Sequence, residues 1–333
     1  KCKEQQMSGN GSAKSWKSLE PDVTLVTRYV EELPVGPDRG LALFSCSAQG
    51  VFSAHTLSVV VPNLMELGPA PYIRPLAALA GDLCRTLVVV LDKRRARFFE
   101  GFLGHLTERE GLELINETAP VERDGDRGRA GDKRTTGRAE EAVSRLFKEI
   151  NQTIAEVIEE GECRQLLVGG AKGALDAFLS QLPAFLSERL GASFNCEANA
   201  SINQINQEVG LAQPAARRLR QERLLATLAD NLGPGGQAAT GLNQVLATLH
   251  AGQVHTLFVS RGFTASGGSC STCGRLRHVA GKCPLCNEEM TPVSDVVNLA
   301  VARALESGAT VEQIEGNSQL DEFGEIAALL RYA

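Results

Sequence analysis

No run of about 18 uncharged apolar residues occurs in the sequence, so no membrane-spanning helix is expected. Aromatics are scarce, 5% of 333 residues, so the cores must be built mainly from Leu, Val, Ile and Ala. Positive charge is not in excess. The formal net charge of −6 argues against a nucleic-acid coat held by bulk charge and leaves room only for a local basic patch. Carboxylates and histidines do not cluster at metal-nuclease spacing, which weakens a nuclease reading. Lys1 to Trp16 is polar and lacks the apolar stretch of a signal peptide. Residues 1–20 are therefore expected to be a disordered leader, in a cytoplasmic protein.

What is present is ordinary for a globular chain: 43% hydrophobic and 22% charged residues, at a length that suits two or three domains. Val23 to Val61 reads as β-like, with Gly40 to Phe44 and Thr56 to Val61 as the richest runs. Arg74 to Asp82 reads as a short helix. Leu87 to Leu91 and Arg95 to Glu100 read as a hairpin across the polar turn Asp92 to Arg94. A glycine-rich charged loop, Thr118 to Arg138, follows. Between Arg123 and Arg138 it carries six basic against three acidic residues. A helix is expected from about Ala139 to Glu160, with Val143, Leu146, Phe147, Ile150, Ile154, Val157 and Ile158 on one face. A strand at Leu166 to Val168 and a helix at Leu175 to Leu190 complete an alternating α/β pattern.

From Ser201 onward, helices are expected at Ile205 to Leu232, Leu242 to His250 and Asp295 to Ser307, with strands at Val254 to Val259 and Ile326 to Tyr332. The division that follows is a leader at 1–20, a partial N-terminal domain at 21–85, a central α/β domain at 86–200 and a C-terminal α/β domain at 201–333. The last carries a small insertion at 266–292.

Nine cysteines are present. Five are scattered and read as reduced, buried residues. The other four, Cys270, Cys273, Cys283 and Cys286, form two Cys-x2-Cys pairs nine residues apart. Each pair can turn both sulfurs toward one ion, and four thiolates close a tetrahedral shell with no open position. Zinc in such a shell is structural, and it supplies folding energy to a segment too short for its own core. A pair of disulfides or empty thiols is the alternative, an iron centre a further one, and His278 could stand in for one cysteine.

The closing run Phe323-Gly-Glu-Ile-Ala-Ala-Leu-Leu-Arg-Tyr332 resembles the end of the archaeal and eukaryotic class-one peptide release factors. The stretch Thr240 to Val259 resembles the start of the C-terminal domain in that family and in Pelota. Archaeal members carry a zinc-binding insertion after the next strand, where Cys270 to Cys286 fall. Leu87 to Gly101 is similar to the strand pair that opens the family's central domain. Gly40 to Leu79 follows the late N-terminal domain more loosely. The resemblance implies a multidomain α/β release-factor-like fold with a zinc-ribbon insertion in the C-terminal domain. It also implies binding to the ribosome, with contacts to ribosomal RNA and the tRNA acceptor end, and delivery by a translational GTPase such as elongation factor Tu. No membrane partner is expected.

The family's hydrolytic loop, before the long central helix, carries Gly-Gly-Gln, which positions a water to attack the peptidyl-tRNA ester. The matching loop here is Arg127-Gly-Arg-Ala-Gly-Asp-Lys133, where Gly131 is the retained glycine and Asp132-Lys133 stand in place of Gly-Gln. Arg123, Arg127, Arg129, Lys133, Arg134 and Arg138 are the candidate RNA contacts; Gly131 and Lys133 are the catalytic candidates. The sequence's own Gly-Gly-Gln, Gly235-Gly236-Gln237, falls about a hundred residues later. It reads as a helix-breaking hinge that makes Gln237 a decoy. Arg217 to Arg223 could face RNA or solvent. Stop-codon decoding is not expected, because no counterpart of the decoding motif is found. The chain in this respect resembles Pelota and the Balon hibernation type, which lack Gly-Gly-Gln. The expected function is A-site binding in rescue or hibernation. The alternative is peptidyl-tRNA hydrolysis on stalled ribosomes.

Overall fold

A computed structural model describes residues 13–33, 40–57, 61, 63–68, 70–82, 85–102, 105–109, 111–113, 130–160, 163–233, 235–316 and 318–332; at some positions, chiefly 13–18 and 130–139, only the backbone is described. None of the described helices is long and apolar enough to cross a membrane.

Helix α1, Ala13–Glu32, stands where a leader and then β structure were expected. Its half-buried positions Leu19, Asp22, Val23, Val26, Tyr29 and Leu33 recur every three or four residues, a helical period rather than an alternating one. Pro21 removes one internal hydrogen bond, and tertiary contacts hold the helix in place. Asp22 Oδ1 accepts from Ser45 Oγ at 2.5 Å and from the Ser47 amide and hydroxyl at 2.7 Å each. Those bonds, the one from Ser45 foremost, hold the Asp22 carboxyl below its ordinary pKa. The Tyr29 and Phe52 rings meet edge-on at 5.3 Å. Strands β1, Gly40–Cys46, and β2, Val51–Leu57, pair antiparallel. After α2, Arg74–Asp82, come β3, Arg85–Leu91, β4, Arg95–Phe102, β5, His105–Glu108, and β6, Leu112–Glu113.

Helix α3, Ala130–Glu159, begins nine residues before the expected start. Glycine reads as a breaker there, but it costs a helix only about 1 kcal/mol relative to alanine, against strong helix formers such as Ala130, Lys133, Arg134 and Ala139. Strand β7, Cys163–Gly170, follows. The helix expected over 175–190 is instead α4, Lys172–Leu179, a break ending at Pro183, and the short α5, Ala184–Ser187. Leu175, Leu179, Leu182 and Leu186 all reach the same core, so the helical spacing persisted although the helix did not. Strand β8, Leu190–Asn195, was not anticipated. Helix α6, Ile202–Asp230, opens on a capping box. The Gln204 amide donates to Ser201 Oγ, and the Ser201 amide donates to the Gln204 side chain.

The remaining elements are β9, Ala238–Thr240; α7, Gly241–His250; β10, Val254–Ser260; β11, Gly267–Ser269; β12, Leu276–Arg277; β13, Thr291–Val293; α8, Val296–Glu306; β14, Thr310–Ile314; α9, Ser318–Glu322; and β15, Ile326–Leu330.

The chain divides into two compact units. One comprises residues 1–78, 239–311 and 324–332; the other comprises 79–238, 312–323 and 333. Residues 201–238, grouped with the C-terminal domain from sequence, thus pack in the second unit. That unit holds a sheet in the order β5-β4-β3-β7-β8, with β6 beside β4. Strands β3, β7 and β8 run parallel, and β4 and β5 run antiparallel. Alternation sorts the strand residues between two cores. Leu87, Val89, Leu91, Leu166 and Val168 face α3, α4 and α5, whereas Val88, Val90 and Leu167 face α6. The result is a three-layer α/β/α arrangement.

The first unit is built on a sheet in the order β14-β10-β15-β9. Helices α7 and α8 supply Val245, Leu246, Leu249, Val297, Ala300 and Val301 to its core. Arg74, at the start of α2, is buried. It donates to the carbonyls of Phe263 at 2.5 Å and Ser260 at 3.4 Å and pairs with Asp295 at 3.4 Å. Asn298 bonds the backbone on either side of Tyr72, donating to the Pro71 carbonyl and accepting from the Ile73 amide. The segment 71–74 is thereby tied to the core of this unit.

Candidate functional site

The four paired cysteines lie on a small three-stranded sheet in the order β12-β11-β13, inserted between β10 and α8. The two Cys-x2-Cys turns fold alike. The Cys270 carbonyl accepts from the Gly274 amide, and the Cys270 amide donates to the Arg275 carbonyl; the Cys283 carbonyl accepts from the Asn287 amide, and the Cys283 amide donates to the Glu288 carbonyl. The residue after each second cysteine adopts left-handed backbone, Gly274 at φ +70° and Asn287 at φ +62°. Glycine and asparagine tolerate that conformation best. The four sulfurs lie within 4.8 Å of one another, with Cys270–Cys286 at 3.3 Å, Cys273–Cys283 at 3.5 Å and Cys273–Cys286 at 3.9 Å. No disulfide links any of the four.

This geometry fits a metal. Four thiolates about 2.3 Å from a central zinc would stand about 3.8 Å apart at tetrahedral angles. The electrostatics fit as well. Amides of Cys286 and Leu285 point at the Cys283 sulfur and pull its thiol down to about 6. At Cys286 the Glu288 amide lowers the thiol, but the neighbouring Cys270 sulfur, burial and the other sulfurs push it up to about 12. The Cys270 thiol is likewise held below its ordinary pKa, by the Cys273 amide foremost, whereas that of Cys273 is held above it; a cation among the four would favour the thiolate form of each. The four cysteines can therefore hold a metal ion.

The insertion is fastened to its host unit on three sides. Leu276 and Val293 reach the core beneath α7 and α8. The Val296 amide donates to the Ala265 carbonyl at 2.8 Å. Arg303 of α8 donates to the Gly274 carbonyl at 3.1 Å, so close that a Cβ at Gly274 would fall 2.5 Å from its guanidinium. These anchors were not legible in the cysteine spacing. His278 is exposed and outside the sulfur cluster. His250, at the end of α7, is held below its ordinary pKa by burial and by the nearby Arg275 and Arg303.

Arg123, Arg127 and Arg129 lie outside the described residues. Gly131, Lys133, Arg134 and Arg138 fall on the first turns of α3, in a segment expected to be loop. On α6, Arg220 forms a two-pronged pair with Glu312. Arg223 donates to the carbonyls of Glu188 and Leu190; Arg218 and Arg223 are both exposed.

Gly235-Gly236-Gln237 forms a turn between α6 and β9. The Gly236 amide closes onto the Gly233 carbonyl at 3.0 Å, and Gly235 takes φ +77°. A Cβ at Gly236 would meet the Asn231 carbonyl oxygen at 2.0 Å. Both glycines are accounted for by backbone geometry alone. Gly236→Ala should therefore lower stability by roughly 1–3 kcal/mol, whereas exposed Gln237→Ala should stay within about 0.5 kcal/mol of the parent. Urea unfolding of the two variants measures this, and equal effects would remove the turn explanation.

Residues 71–213 match the family model "Bacterial archaeo-eukaryotic release factor family 10". No curated protein matches the chain. Several solved structures are similar. The archaeal translation termination factor aRF1 is 17% identical, covering 99% of this chain and 86% of that one, at a TM-score of 0.30. Archaeoglobus fulgidus Pelota is 16% identical, covering 89% and 80%, at 0.37. S. cerevisiae Dom34, a translation termination-like factor, is 10% identical, covering 88% and 78%, at 0.42. The family model spans less than half of the chain, and over residues 71–213 the chain is similar to the bacterial archaeo-eukaryotic release factors.

Proposed function

We propose that this protein is a ribosome-associated translation factor that occupies the A site in rescue or hibernation and holds one structural zinc in its cysteine cluster. The observation that carries the reading is the family match across residues 71–213, which takes in the α/β/α unit through the first half of α6. Division into a partial N-terminal, a central and a C-terminal domain belongs to the same reading. Arg123, Arg127, Arg129, Lys133, Arg134 and Arg138 supply positive charge to the segment that leads into α3, suited to phosphates of ribosomal RNA or the tRNA acceptor end. A translational GTPase such as elongation factor Tu would deliver the protein. Zinc would be held by Cys270, Cys273, Cys283 and Cys286. Bound there it orders the insertion and offers no open position to a substrate.

Hydrolysis is disfavoured because Asp132-Lys133 replace the residues that would position water at the end of that segment. One feature favours it as a second reading, the exposed Gln237 after two glycines. Sedimentation of the chain with 70S particles tests A-site binding, and protein remaining at the top of the gradient rules it out. Incubation with stalled ribosome–peptidyl-tRNA complexes separates the two readings. No peptide release is expected, and release that vanishes in Gln237→Ala would establish the second.

A further inference from the structure

We infer that the metal-binding insertion presents a phosphodiester-binding edge, formed by Arg275, Arg277 and Lys282, to an RNA backbone. Strand β12 is the outer strand of its small sheet, paired with β11 alone. Leu276 points into the core of the unit, so Arg277, the other residue of β12, projects to the opposite side and is exposed, while Arg275, just before the strand, is half-exposed. The chain continues through exposed His278 and Val279 to exposed Lys282. No carboxylate among the described residues lies within ion-pair distance of Arg275, Arg277 or Lys282. This contrasts with the nearby Arg303, which has Glu306 at 3.7 Å.

The cations are also gathered. Arg303 grips the carbonyl of Gly274, next to Arg275, and the His250 imidazole at the end of α7 lies in the field of both arginines. Part of this charge offsets the negative charge of a metal–tetrathiolate centre. Side chains that are directed to solvent and unpaired are nevertheless available to an anion. The insertion has no Phe, Tyr or Trp from Gly267 to Val293, so it offers no stacking platform for bases. Contact with the backbone, independent of sequence, is what remains.

The partner's identity as ribosomal RNA rests on the translation-factor reading; the binding edge does not. The test is fluorescence anisotropy of the full chain with a labelled RNA hairpin across a salt series, with zinc content measured in each sample. Arg275→Ala/Arg277→Ala/Lys282→Ala should reduce the salt slope of log affinity by about 2–3, near one for each phosphate that is no longer neutralised. Arg277→Glu changes one exposed side chain and should by itself reduce the slope by about one. Unchanged slope and affinity in Arg277→Glu overturns the inference, as does tight binding of poly-glutamate in place of RNA. If the variants lose RNA binding while the parent fails to sediment with ribosomes, the edge stands and the ribosomal reading falls. If the triple variant sediments as the parent does and binds the hairpin equally well, the ribosomal reading stands and the edge falls.

Discussion

Cys283→Ser is expected to lower bound zinc from about one ion per chain to almost none and to unfold residues 266–292 locally. Beyond its anchors to the host unit, the insertion has little core of its own. Its own buried cluster is Cys270, Cys283 and Met290, with Cys273 and Cys286 packed against it. Without the ion the sulfurs at 3.3–3.9 Å repel as they ionise. Chelation of the parent should have the same effect as the substitution. Cleavage by a protease should then appear within the insertion while the sheet of the second unit stays protected. Acid should also release the metal, because binding displaces protons from the thiols and affinity falls as pH drops. Retention of stoichiometric zinc in Cys283→Ser, measured by mass spectrometry of the native protein, would remove the four-sulfur assignment. A bound iron in place of zinc would leave the ligands standing and change the ion.

Arg220→Ala is expected to cost about 3–5 kcal/mol, the range for stranding one member of a buried pair. Glu312 is 2% exposed and meets Arg220 through two parallel bonds of 2.6 and 2.8 Å. The neighbouring Gln221 side chain donates to the Gln313 carbonyl at 3.1 Å, so two successive residues of α6 hold the segment 312–313. Arg220→Lys should recover only part of the loss, because an ammonium cannot supply the planar fork. Removing both charges, as Arg220→Met with Glu312→Leu, should lie much closer to the parent, since no carboxylate is then left buried alone. The readout is the denaturant midpoint at unchanged slope. A single Arg220→Ala variant within 1 kcal/mol of the parent would mean that Glu312 has other sufficient support.

Where helical or alternating spacing was complete within a segment, the sequence could be read directly. The run Leu87–Leu91 shows this in a simple form. Every residue is apolar, and the structure accounts for it by burying alternate side chains in two different cores. The seven apolar positions of α3 from Val143 to Ile158 likewise identified that helix. Failures came where local signals conflicted. Glycines between Gly125 and Gly137 suggested loop, yet α3 starts at Ala130. Val23 to Val61 read as β-like, yet the contacts of Asp22 and Tyr29 hold a helix over the first part of that stretch, to Glu32. Pro183 was overridden by a leucine spacing that continued past it.

The site divides in the same way. Sulfur spacing is a local property, so the candidate metal centre was legible from two Cys-x2-Cys pairs in sequence. The arginines were not. Arg220 and Arg223 look alike along α6, and only partners distant in sequence, Glu312 and the carbonyls of Glu188 and Leu190, make both structural. Arg277 looks equally ordinary until burial of Leu276 turns it outward on an edge strand.

By itself, then, the sequence determined the α/β class, the cysteines of the candidate metal centre and the family resemblance, because periodicity and short motifs act over a few residues. Tertiary structure decided which charges are tied down and which are offered to a partner. It also decided that Gly235 and Gly236 serve a turn, because burial and partnership depend on segments far apart in the chain.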